Sequence, residues 1–78
     1  MRPRQIVRPR LGAAAQHRRE VRAGLRKWND PTDTLWHAAW REVAASGWNM
    51  AGDPRMAEIL ETEAAHLIRE AARRRSDR

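Results

Sequence analysis

Four tryptophans crowd the centre of this chain, which contains no Phe and no Tyr. They are Trp28, Trp36, Trp40 and Trp48. Trp carries a large apolar side chain, and its indole N–H needs a hydrogen-bond partner when it is buried. A chain of 78 residues is near the lower limit for a stable single core. We therefore expect these four side chains to organise the core, a partner interface, or both.

The positions of the four tryptophans divide them into two groups. Trp36 and Trp40 are one helical turn apart, and Trp28 lies at the end of the preceding predicted helix. We assign these three residues to the core. Trp48 and Met50 lie in a short segment bounded by glycines, and this position predicts a partner-binding loop.

Hydrophobic periodicity and helix-boundary residues predict an all-α fold of three helices, without strands. The predicted helices cover about residues 11–28, 31–46 and 54–74. The second and third each begin at an Asp-Pro pair, in which Asp suits the N-cap and Pro the first helical position. Gly47 is the predicted end of the second helix. Because that helix has a wide apolar arc, we expect it to pack between the other two.

The N-terminal third is strongly basic. Residues 1–10 contain two Arg-Pro-Arg units, which predict an extended basic arm before a single helical domain at 11–78. The net charge is +6, and residues 1–28 carry nine basic side chains and one acidic. Such a concentration of positive charge is typical of polyanion binding. The candidate nucleic-acid-binding residues are Arg2, Arg4, Arg8, Arg10, Arg19, Arg22 and Arg26.

The abundance of arginine also has causes that require no polyanion. Arg outnumbers Lys fifteen to one, a bias that a GC-rich genome produces without any functional cause. The same side chains also suit a solvated tail and a solvated helix face. A helix-turn-helix is disfavoured, because the third helix begins with Glu58, Glu61 and Glu63, which DNA phosphates would repel.

Two charged residues interrupt the apolar stripes of the predicted helices. Arg18 and Glu63 are predicted to form a buried pair, with each other or with symmetry mates across a dimer. The alternative places each at the edge of its stripe, in contact with water. Glu63 and His66 also form a Glu-x-x-His pair, for which Glu42 would be the further carboxylate of a metal site. One such pair is common by chance, so we predict no metal and no cofactor.

Composition restricts the remaining classes of function. Ser46 is the one serine of the helical body and no Gly-rich phosphate loop occurs, so we predict that the chain is not an enzyme. The absence of cysteines excludes disulfides and Cys-zinc sites. No apolar run approaches the ~20 residues of a membrane span, so we expect a cytoplasmic protein without membrane contact. The small core and surplus apolar side chains predict a homodimer.

Two functions remain. The first is a small regulatory protein that binds nucleic-acid backbone through the basic arm and the first helix. The second is a modulator, inhibitor or adaptor, of a kind that phages and mobile elements encode, which docks on a larger acidic protein through Trp and Arg residues. Charge asymmetry places the nucleic-acid hypothesis slightly ahead.

Overall fold

A computed structural model describes residues 12–76, and these form three helices and no strand. Helix α1 spans Ala13–Arg22, α2 spans Thr34–Met50 and α3 spans Pro54–Ser76. The predicted all-α fold of three helices is thus confirmed, and α2 packs against both α1 and α3. Helices α2 and α3 form an antiparallel hairpin, since hydrogen bonds join Arg41 to Glu63 and Thr34 to Arg74. The predicted basic arm lies outside the described residues.

Left-handed glycines end both α1 and α2. Gly24 has φ of +77°, and the N–H of Leu25 donates to the carbonyl of Glu20, which closes a Schellman motif after α1. This motif ends α1 at Arg22, so the predicted extension to residue 28 is wrong. After α2, Gly52 has φ of +88° and the N–H of Asp53 donates to the carbonyl of Trp48 in the same way.

Helix α2 begins later and ends later than the sequence predicts. Asp33, not Asp30, is its N-cap, and its side chain accepts a hydrogen bond from the N–H of Leu35 at 2.9 Å. The chain continues as a helix through Gly47, so Trp48 and the residues up to Met50 belong to the last turn and not to a loop. The predicted start of α3 is right, and Asp53 caps it by accepting from the N–H of Met56 at 3.1 Å.

The core of the described residues is built mostly from alanine. Leu35 is the one large apolar side chain among the buried hydrophobic residues; the others are Ala13, Ala38, Ala39, Ala45, Ala57 and Ala64. Small side chains let helix backbones approach closely, so these helices pack with Leu35 as their one large buried apolar side chain. Leu67 and Ile68 of α3 pack against this core from its edge.

The tryptophans assigned to the core do not fill it. Trp28 is 63% exposed and Trp40 is 53% exposed, so their assignment to the core is wrong. Trp36 is half-buried. The cause is geometric: Ala38 and Ala39 occupy the inner face of α2, which turns Trp36 and Trp40 toward its edge.

Arg18 and Glu63 do not form the predicted buried pair within one chain, and pairing with symmetry mates across a dimer stays a prediction. Both residues are exposed, Arg18 on α1 and Glu63 on α3. Glu63 instead accepts a hydrogen bond from Arg41 at 3.0 Å, on the outer side of the α2–α3 hairpin. The alternative interpretation, that each residue reaches water from the edge of its stripe, is the one that agrees with this arrangement.

Candidate binding groove

An apolar cavity of about 260 Å³ opens between α1, α2 and the segment that connects them. We call it the tryptophan groove. Its walls are formed chiefly by Trp28, Trp36, Trp40, Val43, His17 and Arg18. Three of the four tryptophans therefore contribute to one concave surface, while Trp48 does not line it.

The three tryptophans reach the groove from different parts of the chain. Trp36 and Trp40 are successive turns of α2, with ring centroids 6.2 Å apart and an edge-to-face angle of 75°. Trp28 comes from the connecting segment after α1 and packs on His17, with ring centroids 5.9 Å apart. Val43, also exposed, extends the apolar wall by one more turn of α2. The result is a continuous aromatic surface that faces solvent.

His17 is the buried polar residue of the groove. It is 3% exposed, and its Nε2 has no hydrogen-bond partner among the described residues. A buried polar atom left without a partner costs on the order of 1–3 kcal/mol. Most such atoms in proteins are satisfied, so the Nε2 of His17 is an exception that needs an explanation.

Glu42 sets the position of α1 relative to α2. The residue before α1 is Gly12, whose φ of +71° is left-handed and which has no side chain to cap the helix. The two carboxylate oxygens of Glu42 accept hydrogen bonds from the N–H groups of Ala13 and Ala14, at 3.1 and 3.0 Å. A carboxylate is favoured at a helix N-terminus by both these bonds and the helix dipole. Glu42 thereby fixes one end of the groove.

Arg26 fixes the connection between α1 and α2. Its guanidinium donates to Glu20, at 2.9 and 2.6 Å, and to the N-cap residue Asp33. Burial disfavours the charge of Arg26, but the hydrogen bonds to Asp33 and Glu20 outweigh it and raise its pKa. Hydrogen bonds from Gln16 and Arg26 in turn lower the pKa of Glu20. Arg26 therefore binds two carboxylates within the fold, and its contact with nucleic acid stays a prediction.

The acidic side chains in this part of the fold are hydrogen-bonded, whereas several basic side chains are not. Each nearby acidic side chain accepts an internal hydrogen bond: Glu20, Asp30, Asp33 and Glu42. For Asp30 the donors are the hydroxyl and N–H of Thr32, which lower its pKa. The exposed basic side chains have no ion pair or hydrogen bond within residues 12–76: Arg18, Arg19, Arg22 and Lys27. Arg18, which lines the groove, is therefore available to an acidic group.

The other predicted site residues fall in several places. Arg2, Arg4, Arg8 and Arg10 lie outside the described residues. Trp48 and Met50 are exposed at the C-terminal end of α2, and their role in partner binding stays a prediction. His37 lies beside the carbonyl of Pro31, 2.6 Å from its Nε2. Within residues 12–76 no three His, Cys, Asp or Glu side chains are grouped to hold a metal ion, Glu63 and His66 included.

Sequence reasoning missed His17 and Glu42 as parts of the candidate site. His17 carried a detectable signal, since it lies between Ala13 and Val21 on the inner side of α1, four residues from each. Glu42 carried none, because its partners are backbone atoms 28 and 29 residues away.

No helix of the described part is long and apolar enough to cross a membrane. Comparisons with family models, with curated protein sequences and with solved structures gave no match, so the groove is interpreted from its own residues.

Proposed function

We propose that this chain is a small, non-enzymatic binding protein that docks on an acidic partner protein through the tryptophan groove. The observation that carries the proposal is the exposure of Trp28 and Trp40 beside the half-buried Trp36 on one concave surface. Trp is the residue most enriched at positions that dominate binding energy, and an exposed apolar patch that is contiguous marks interaction sites. This is the second of the two functions that the sequence left open.

Basic side chains on α1 and just after it support an acidic partner. Arg18, Arg19 and Arg22 lie on α1 with no partner of opposite sign among residues 12–76, and Lys27 precedes Trp28. Arg is enriched with Trp at interfaces, and complementary charge speeds encounter and selects the partner. An apolar side chain of the partner would fit between the tryptophans, and carboxylates beside it would pair with these basic side chains.

A pair of tryptophan variants tests the proposal. Trp40→Ala removes a wall of the groove, whereas Trp48→Ala removes an exposed tryptophan of the same helix outside it. Proteins from the native cell extract are captured on the immobilised wild-type chain and on each variant, and the affinity of every specific partner is then measured with purified components. We expect Trp40→Ala to weaken binding by at least about tenfold. Trp48→Ala should bind as the wild type does.

The reverse result would contradict the groove as the docking site. If Trp48→Ala abolishes binding and Trp40→Ala has no effect, the partner-binding prediction for Trp48 and Met50 is the correct one. Circular dichroism of both variants checks that the helices remain, as expected from the exposure of both side chains. The affinity of a true partner should also fall as salt rises, because the basic side chains of α1 contribute to binding.

Nucleic-acid binding is the second candidate, favoured by where the charge is concentrated. Residues 12–76 contain eleven basic and nine acidic side chains, whereas residues 1–11 contain four arginines and no acid. On this hypothesis Arg19 and Arg22 extend the contact surface of residues 1–10. Fluorescence anisotropy with labelled DNA and RNA should then show binding that weakens steeply with salt and that deletion of residues 1–10 greatly reduces. No binding at low salt would exclude nucleic-acid binding, and equal binding after the deletion would exclude the role of residues 1–10.

A further inference from the structure

We propose that the tryptophan groove recognises the C-terminal residue of a partner chain, with its apolar side chain between the tryptophans and its carboxylate on His17 and Arg18. The proposal rests on the function proposed above, because it names what the partner inserts. It begins from the orphaned Nε2 of His17, which is buried at the wall of a largely apolar cavity.

The size of the groove limits what it can hold. Its volume of about 260 Å³ is below the roughly 300–1,000 Å³ of pockets that enclose drug-sized molecules. One large apolar side chain and its backbone are of this order. The apolar group and the group that meets His17 should therefore belong to a single residue. A chain-terminal residue meets this condition, since its side chain and its carboxylate are attached to the same carbon.

The charge around His17 favours a carboxylate over a neutral group. Arg18 also lines the groove, is exposed, and has no ion pair among residues 12–76. Glu42, an acid on the neighbouring helix face, is held by the N–H groups of Ala13 and Ala14 and does not line the cavity. An imidazole N–H and a guanidinium together present donors to an anion, and charge-assisted hydrogen bonds are the strong ones.

On this proposal, Trp28 moves to give a ligand access to His17. The Nε2 atom is covered in the free chain, and the Trp28 ring lies 5.9 Å from the His17 ring, centre to centre. Trp28 is itself 63% exposed and belongs to the connecting segment between α1 and α2. A rotation of this side chain would uncover His17 without disturbing either helix. The indole ring would then close on the side chain of the ligand.

Two small probes test the carboxylate directly. N-acetyl-leucine and N-acetyl-leucinamide share one apolar side chain and differ in the charged group. Each is titrated into the full chain, and the four indole N–H signals are followed by NMR, with Trp48 as an internal control outside the groove. We expect N-acetyl-leucine to shift the signals of Trp28, Trp36 and Trp40 and to bind at least about tenfold more tightly than the amide. The Trp48 signal should not move.

A second pair of probes separates a chain terminus from a free small acid. The peptide N-acetyl-Ala-Ala-Leu is compared with N-acetyl-leucine, both with a free carboxylate. Tighter binding of the peptide supports a protein C-terminus as the natural occupant. Equal affinity overturns that part of the proposal and identifies a small apolar acid instead.

Substitution of the two proposed anion-binding residues completes the test. His17→Phe keeps an aromatic ring of similar shape, and we expect it to bind N-acetyl-leucine and its amide equally. His66→Phe, at an exposed position of α3, is the matched control and should keep the preference. If His17→Phe fails to fold, Arg18→Gln, at an exposed position, supplies the same comparison and should reduce the preference for the acid.

The outcomes that contradict the proposal are distinguishable. Equal binding of acid and amide by the wild type, with shifts of Trp28, Trp36 and Trp40, would overturn the carboxylate site but leave the groove as an apolar docking surface. No shift of these three signals with either probe would contradict the groove itself. A preference that survives both His17→Phe and Arg18→Gln would assign the carboxylate to other residues.

Discussion

One guanidinium ties together three parts of the chain at the residue scale. Arg26 is 20% exposed and bonds Glu20 of α1 and Asp33, the N-cap of α2. The planar fork of Arg suits this bridge, because it can donate to two carboxylates at once. Arg22, one turn earlier in sequence, is exposed and makes no such bond among residues 12–76. Two arginines of the same predicted stripe therefore have different roles.

Removal of Arg26 should destabilise the fold. Arg26→Ala leaves Glu20 and Asp33 without their shared partner, and we expect a loss of about 1–3 kcal/mol in the free energy of unfolding. The matched variant Arg22→Ala should change it by less than about 0.5 kcal/mol. Urea denaturation followed by circular dichroism measures both. Equal effects of the two variants would contradict the bridging role of Arg26.

The carboxylate of Glu20 should make stability depend on pH in the acid range. Its pKa is lowered from the usual 4.5 by hydrogen bonds from Gln16 and Arg26. A lowered folded-state pKa contributes stability that is fully present above 4.5 and is lost as pH falls through the lower folded value. We expect urea midpoints to fall below pH 4.5, and Glu20→Gln to show a smaller fall. A wild-type midpoint that rises on acidification would contradict this sign.

At the scale of elements, glycine context decides where the helices end. Gly24 and Gly52 are left-handed and close Schellman motifs, while Gly47 has a helical conformation inside α2. The sequence contained the signal at Gly24, since an apolar residue, Leu25, follows it as the motif requires. Gly52 carries a signal of its own, because an Asp-Pro start follows it. Gly47 looked like a helix end in the sequence as well. The helix nevertheless continues through it, because a glycine within a helix costs only about 1 kcal/mol relative to alanine.

Substitution by alanine should change stability in opposite directions at Gly47, inside α2, and at Gly52, just after its end. Gly47→Ala meets open space in a helical conformation and should stabilise the chain by about 0.5–1 kcal/mol. Gly52→Ala also meets open space, but its φ of +88° strains any residue with a Cβ atom and should cost about 1–2 kcal/mol. Thermal unfolding of the two variants measures the difference. A stabilising Gly52→Ala would mean that α2 does not end there.

Helix α1 depends on a cap that comes from another helix. Glu42→Ala removes the acceptor for the N–H groups of Ala13 and Ala14. We expect a loss of about 1–2 kcal/mol, with fraying concentrated in α1. The control is Glu58→Ala on the exposed face of α3, which should have little effect. Backbone chemical shifts report helix content residue by residue, and fraying of α3 instead of α1 would contradict the role given to Glu42.

For the whole molecule, the pattern of alanines explains what the sequence could and could not predict. Periodicity predicted three helices and the position of α2 between the others, because it depends on where apolar residues recur. Periodicity could not predict that Ala38 would be buried and Trp40 exposed, because a helix face of alanines becomes the core only when two backbones approach closely. The tryptophans displaced by that packing form the groove. The prediction placed them at the centre of the chain correctly and at the centre of the fold wrongly.

Apolar side chains also remain exposed at the end of the α2–α3 hairpin, near the connecting residues 51–53. Met50 is 86% exposed, and Ile59 of α3 is exposed as well. The homodimer predicted from the sequence would place this surface at its interface. Light scattering should then give twice the mass of one chain for the wild type and for Arg69→Glu, and the mass of one chain for Ile59→Glu. A wild-type monomer at every concentration would rule out the homodimer.

The cap that Glu42 provides would couple ligand binding in the groove to the docking of α1. Glu42 attaches α1 to α2 beside Val43, and α1 in turn supplies His17 and Arg18 to the groove. Occupancy of the groove and folding of α1 are therefore linked equilibria: a ligand that binds only when α1 is docked must increase the docked population. Amide hydrogen exchange in α1 should slow on binding, while exchange in the middle of α3 stays the same. By the same linkage, Glu42→Ala would weaken a ligand that Glu42 never touches.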